Sequence, residues 1–230
     1  MKRGILYVYW GDKIKSELDR SLNSVSKIHP ELDIHLHEIP ADQKPSLLNK
    51  GAMAEITPFE NTLFLDTDTV VMDDLTYGFE ASERHGLACC ICECPWARRF
   101  PTLHGDIIEY NTGVLFFTQK SRPVFDTWKQ HSNSTPSSIV FYRDQSTAKM
   151  PNNDQAGFAY AVNHTHYNPH VLPMNWNLRP IWQQALFGPV KIWHDRSDVP
   201  QELIEWNECQ TDKYSIIGFN NNLKARHFVQ

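Results

Sequence analysis

Leu63-Phe64-Leu65-Asp66-Thr67-Asp68-Thr69-Val70-Val71 is an apolar run that meets two acids set one residue apart. Large apolar residues in succession suit a strand buried on both faces. Ending in Asp-Thr-Asp, such a strand brings two carboxylates to the carboxyl edge of a parallel sheet, where open α/β folds bind ligands. Alternate residues of an extended chain point to the same side, so Asp66 and Asp68 can reach one cation. An oxygen-only pair suits Mg²⁺ or Mn²⁺, which favour carboxylate, water and phosphate ligands. Without such a partner, two neighbouring acids are costly to desolvate. Asp73-Asp74-Leu75 reads instead as an ordinary helix start.

The segments upstream alternate in type. Residues 4–10 are aliphatic, aromatic and β-branched, as in a buried strand. Ile14, Leu18, Leu22, Val25 and Ile28 recur at three- and four-residue steps, which predicts an amphipathic helix over 13–28, ended by His29-Pro30. Residues 32–39 alternate like a strand, and 46–56 read as a helix capped by Ser46. Strand and helix alternating at this spacing predict a parallel α/β sheet with right-handed crossovers. Downstream, 87–92 and 110–117 read as strands and 122–131 and 154–163 as helices. The Ser-, Thr-, Pro- and Asn-rich stretch 132–153 reads as a mobile loop or lid.

The totals limit the possible functions. At 230 residues, 41% hydrophobic and 12% aromatic, the chain can bury a real core and corresponds to one domain or slightly more. A net charge of -5 gives no basic surface for a nucleic-acid backbone. No apolar run approaches the roughly 18–20 residues that cross a bilayer. The N-terminal apolar run is short and leads into a charged helical segment, so it reads as a first strand rather than a signal peptide. Cys89, Cys90, Cys92, Cys94 and Cys209 form a poor disulfide framework, and a reduced, cytoplasmic protein is expected.

Taken together, the segments resemble the GT-A glycosyltransferases, and family 8 of that group in particular. Asn61-Thr62-Leu63-Phe64-Leu65-Asp66-Thr67-Asp68 is similar to its DxD segment, with Lys50 in the place of a basic residue near the donor. Tyr110-Asn111-Thr112-Gly113-Val114-Leu115 is similar to its FN(S/A)GV strand, and Asn153-Asp154-Gln155 to its DQ segment. Leu172-Pro173-Met174-Asn175-Trp176-Asn177 is similar to its LPxxxN stretch. Lys191-Ile192-Trp193-His194 resembles the strand that brings in a histidine ligand, and the elements keep the family's order.

The resemblance implies an α/β, Rossmann-like mixed sheet in a single domain over 1–230. Residues 1–118 would form the nucleotide-binding half, and 119–230 would complete the acceptor and metal side. It implies a hexosyltransferase that takes sugar from a nucleotide-diphosphate donor, UDP-sugar foremost, to a saccharide or other hydroxyl acceptor, with retention. Asp66, Asp68 and His194 would hold Mn²⁺ or Mg²⁺. Tyr9, Trp10 and Gly11 would border the base and ribose, with Lys50 and Asp66 near the donor, Asn111 and Gly113 lining its sugar pocket, and Asp154 and Gln155 close to the anomeric carbon. Where the family continues HxxGxxKPW, this chain has His194-Asp195-Arg196-Ser197, with Arg196 as a substitute positive charge. An inverting enzyme would instead need a general base, for which Asp154 and Glu109 are candidates, although Glu109 reads as an ordinary exposed acid.

Two other classes stay open. A sugar nucleotidyltransferase of this fold would carry a glycine-rich basic loop after the first strand, and residues 9–15 contain a single glycine. A degenerate domain that binds carbohydrate or protein without turnover draws support from the altered sequence after His194. The cysteine cluster reads as a buried strand rather than a metal knuckle, and His164, His166 and His170 as surface or satisfied residues. Trp176, Trp182 and Trp193 fit either a core or an acceptor platform.

Overall fold

The computed structural model describes residues 1–44, 46–93, 106–135, 140–143, 146–149, 153–183, 185–187, 189–209, 216–219 and 225–228. Strand β1 (Arg3–Tyr9) is followed by helix α1 (Lys15–Ile28), strand β2 (Asp33–Glu38), a 3₁₀ segment (Leu47–Ala52) and the short helix α2 (Met53–Ile56). Next come β3 (Asn61–Leu65), β4 (Thr69–Val71), α3 (Thr76–His85), β5 (Leu87–Ile91), β6 (Tyr110–Thr118) and α4 (Arg122–His131). Residues from β7 (Val140–Arg143), β8 (Ser146–Lys149), α5 (Asp154–His164) and β9 (His170–Val171) lead to β10 (Ala185–Phe187), β11 (Ile192–His194), α6 (Gln201–Cys209), β12 (Ile216–Phe219) and β13 (Ala225–Phe228).

The main sheet has the order β2-β1-β3-β6-β5-β9. Strand β1 runs parallel to β2 and β3, as the alternation of helices and strands requires. The second half departs from the all-parallel expectation, because β6 runs antiparallel to both β3 and β5. Among the described residues no helix lies between β5 and β6, and strands without a crossover helix between them are free to pair antiparallel. The mixed sheet expected from the resemblance is therefore the one observed.

The period-two pattern of β3 divides the core. Leu63 and Leu65 point to a layer containing Leu18 and Val25 of α1 and Phe79 of α3. Phe64 points to the opposite layer, with Phe125 and Trp128 of α4 and Phe158 of α5. With both faces covered, all of β3 and β6 is buried. At roughly 25 cal/mol per Å² of apolar surface removed from water, these two layers are the main stabilising contribution.

The predicted helix over 46–56 is 3₁₀ for its first half, although Ser46 caps it as expected and forms a reciprocal capping box with Asn49. Gly51 explains the tight approach, since a Cβ there would lie 2.7 Å from the backbone of Lys129 on α4. Within the stretch read as a lid, 132–135 continue from α4, and β7 and β8 pair as an antiparallel hairpin. The remainder of that stretch up to Asn153 lies outside the described residues. Cys94 also lies outside them, while Cys89 and Cys90 are buried free thiols of the kind expected and Cys92 is buried as well. Glu109 is buried rather than exposed, a correction to its sequence reading. Backbone pairing carries it inward, because its carbonyl accepts from Cys92 N at 2.8 Å as β5 and β6 converge. No helix among the described residues is long and apolar enough to cross a membrane.

Candidate functional site

Strand β3 ends at Leu65, and Asp66 opens a tight turn back into β4. The Asp66 carbonyl accepts from Thr69 N at 3.2 Å and from Thr69 Oγ1 at 2.7 Å. Behind the turn, Tyr7 Oη, Ser21 Oγ and Thr69 Oγ1 form a buried chain at 2.8 and 3.1 Å that ties it to β1 and α1. Strand β11 pairs antiparallel with β4, placing His194 opposite Thr69. His194 Nε2 thereby comes to 3.3 Å from Asp68 Oδ1 and 3.8 Å from Asp66 Oδ2.

Asp66, Asp68 and His194 each offer a ligand atom, all within 4.8 Å of one another. On the inner side, Lys50 Nζ bridges Asp66 (2.7 Å to Oδ1) and Asp154 Oδ2 (2.9 Å). Thr112 Oγ1 donates to the same Asp154 oxygen at 2.6 Å. Two carboxylates thus share one lysine with Asp68 close by, an excess of negative charge that a divalent cation would offset. The donor set of two carboxylates and an imidazole fits Mn²⁺. Gly113 keeps the cradle open, since a Cβ there would lie 2.2 Å from His194 Cε1 and 2.7 Å from Asp66 Oδ2.

The titration shifts follow from this crowding. Burial raises the Asp66 carboxyl, and the neighbouring Asp68 and Asp154 add to that against the pull of Lys50. Burial alone would also raise Asp68, but its hydrogen bond and charge interaction with His194 prevail and hold it at about 2. For Lys50, burial favours the neutral amine, and the carboxylates of Asp154 and Asp66 outweigh it and raise its pKa.

Arg179, Ile181, Asp195 and Arg196 join Asp68 and His194 around an open cavity of about 250 Å³. Arg179 is braced by Glu93 at 2.9 Å. The turn after His194 is fastened to α1 by Arg20, whose guanidinium donates to the carbonyls of Asp195 (2.7 Å), Arg196 (3.1 Å) and Ser197 (2.8 Å).

Among solved structures, the chain is similar to mouse xyloside xylosyltransferase 1 in its apo form, with a TM-score of 0.58 and 14% identity over 86% of this chain and 99% of that one. It is also similar to the galactosyltransferase LgtC in complex with donor and acceptor sugar analogues, with a TM-score of 0.56 and 15% identity over 84% and 87% of the two chains. A third is the glycosyltransferase GlyE of Streptococcus pneumoniae, with a TM-score of 0.53 and 15% identity over 90% of this chain and 60% of that one. The chain has the GT-A glycosyltransferase fold. No protein-family model and no curated protein sequence matches it.

Most of the residues singled out from the sequence converge on this one edge of the GT-A sheet. Asp66, Asp68 and His194 cluster with Lys50, Gly113 and Asp154. Asn111 donates through Nδ2 to Gln155 Oε1 at 3.0 Å, joining β6 to the start of α5. Tyr9 and Trp10 are half-buried at the end of β1, on the edge where the parallel β3 also ends, and Gly11 takes the left-handed φ of 70°. Glu109 is held in the sheet layer.

Trp176 and Trp193 belong to the core, whereas Trp182 is 47% exposed beside the cavity residue Ile181. Sequence reasoning gave no role to Thr112, Asn177, Arg179 or Arg20. Thr112 and Asn177 lie inside quoted motifs, where a polar residue between buried apolar ones signals an internal hydrogen bond. For Arg179 and Arg20 no local signal exists, because their partners are 86 and at least 175 residues away.

Proposed function

We propose that this chain is a metal-dependent hexosyltransferase that moves sugar from a nucleotide-diphosphate donor, UDP-sugar foremost, to a saccharide or other hydroxyl acceptor with retention. The observation that carries the proposal is the meeting of Asp66, Asp68 and His194 within 4.8 Å at the carboxyl edge of a GT-A sheet. A GT-A fold alone would be compatible with other chemistry. The xylosyltransferase and galactosyltransferase likenesses supply the sugar-transfer part of the reading.

In this reading Asp66, Asp68 and His194 hold the divalent cation, Mn²⁺ foremost. Held there, a divalent cation would supply positive charge to offset that of a leaving diphosphate. Arg179 and Arg196, on the cavity wall facing Asp68 and His194, add positive charge where the family carries its lysine. Tyr9, Trp10 and Gly11 border the base and ribose. Asn111 and Gly113 line the sugar pocket, and Lys50 sets the charge and position of Asp66 and Asp154. Asp154 takes hydrogen bonds from both Lys50 and Thr112 through Oδ2, and this favours electrostatic stabilisation of an oxocarbenium-like centre over proton abstraction. Gln155 lies beside it. Retention agrees with that role, since it requires no general base at this position.

The test is a thermal-shift and product-release screen of nucleotide diphosphates and their sugars, with Mn²⁺, Mg²⁺ or EDTA. Stabilisation by one nucleotide with Mn²⁺, lost in EDTA, together with slow release of free nucleotide diphosphate from its sugar donor, is expected. Mn²⁺-dependent binding without turnover would instead support a degenerate binding domain, and turnover of a nucleoside triphosphate would support a nucleotidyltransferase.

A further inference from the structure

Asn177 is almost fully buried and sits between the sugar-pocket strand and the candidate metal histidine. Its Nδ2 donates to Asn111 Oδ1 at 2.9 Å, and its Oδ1 lies 2.7 Å from His194 Nδ1. Asn111 Oδ1 also accepts from the backbone N–H of Gly113 at 2.9 Å. A backbone N–H can only donate, so the Asn111 atom facing it must be the oxygen. That leaves Asn111 Nδ2 to donate to Gln155 Oε1. The second lone pair of Asn111 Oδ1 requires a donor from Asn177, which turns Asn177 Oδ1 toward the imidazole. An amide oxygen can only accept, so His194 carries a proton on Nδ1.

We propose that Asn177 is a positioning residue: through Asn111 it transmits the direction of the Gly113 N–H to His194 and fixes the imidazole with Nδ1–H on the amide and Nε2 facing Asp66 and Asp68. There Nε2 meets Asp68 at 3.3 Å and would turn its lone pair to a bound cation. The inference rests on the metal-site reading given above. Metal-bound histidines typically donate their second ring nitrogen's proton to a fixed acceptor, which sets both tautomer and ring orientation. Here that acceptor is an amide whose own orientation is dictated by the main chain. The opposite tautomer would require both amides to flip, and Asn111 would then present an NH₂ to a backbone N–H. The relay also reaches Gln155, which meets it with its oxygen and so keeps N–H donors for any ligand in the sugar pocket.

The test uses the full chain and two readouts that do not depend on turnover. In ¹⁵N-detected histidine spectra of metal-free protein, Nδ1 of His194 is expected to carry a proton in the wild type. Asn177→Ala is expected to lose that preference and to weaken Mn²⁺ binding, measured by electron paramagnetic resonance, by about 10- to 100-fold. Asn177→Asp keeps an acceptor for Nδ1–H but meets Asn111 Oδ1 with a second acceptor, so it is expected to restore the Nδ1 proton and only part of the Mn²⁺ affinity. A wild-type Nε2–H form would overturn the proposal. So would an Asn177→Asp variant that loses the Nδ1 proton as Asn177→Ala does, because the acceptor facing Nδ1 is the part of the relay that it keeps. If wild-type protein binds no Mn²⁺, the metal reading fails while the tautomer measurement still decides the relay.

Discussion

Replacing Lys50 with methionine keeps the length of the side chain and removes the ammonium that bridges Asp66 and Asp154. Lys50 is 4% exposed, so water cannot take its place without opening the site. Breaking a buried ion pair by removing one partner typically costs about 3–5 kcal/mol, because the remaining charge is stranded. For a chain of this size about 1 kcal/mol moves Tm by roughly 2–4 °C, so a fall of about 6–20 °C is expected in EDTA at pH 7. The pH dependence has a defined sign. Burial already raises Asp66, and without Lys50 its folded pKa rises further above the unfolded value of about 3.9. The added penalty is therefore largest near neutral pH and shrinks as pH falls toward about 4, vanishing below the unfolded pKa, where the carboxyl is protonated in both states. In wild type the raised Lys50 pKa acts conversely: its contribution is complete below about 10.4 and is lost as pH rises through the folded value. Calorimetric melts of both proteins from pH 4 to 8 read this directly. A gap under about 2 °C at pH 7, or one that does not narrow with acid, would refute the reasoning.

Asp68→Ala is expected to abolish Mn²⁺-dependent stabilisation by nucleotide diphosphates while shifting the ligand-free melt little, and unaltered stabilisation would sink the metal assignment. Gly113→Ala places a methyl group against His194 and Asp66 and should weaken Mn²⁺ binding more than tenfold, measured by electron paramagnetic resonance; wild-type affinity would show that the cradle can yield. Arg179→Met and Arg196→Met, whose side chains line the cavity beside Asp68 and His194, should lower affinity for a nucleoside diphosphate by about tenfold and leave that for the nucleoside unchanged in calorimetric titration. Equal losses for both ligands would assign these arginines another role.

The parts of this fold legible in the sequence are those encoded by local periodicity. The three- and four-residue steps of α1 and the apolar run of β3 each lead to the observed element. The one-residue spacing of Asp66 and Asp68 places both at the candidate cation position. The antiparallel insertion of β6 was not legible from its own residues, because a strand buried on both faces reads the same in either direction. The 3₁₀ form of residues 47–52 escaped for a related reason: it reflects how closely Gly51 meets Lys129, a contact spanning 78 residues. Glu109 was misread because an acid beside a loop looks exposed until its neighbours' pairing draws it inward. The Asn177 relay joins side chains 17 and 66 residues distant, and only the folded chain brings them together.

The three-residue pairing of Ile192–His194 with Thr69–Val71 makes the histidine's address a matter of register rather than of distance along the chain. Side chains alternate along a strand, so a slip of one residue would turn His194 away from the acids altogether. Loop closure is far more forgiving, since doubling a connecting segment costs only about 0.6 kcal/mol. The connections between β6 and β11, apart from α4, α5 and the segment bearing Asn177, are therefore free to vary in length, provided that this short ladder re-forms. A designer could graft new segments between residues 132 and 153 on the same understanding, with α5 and residues 170–179 left in place.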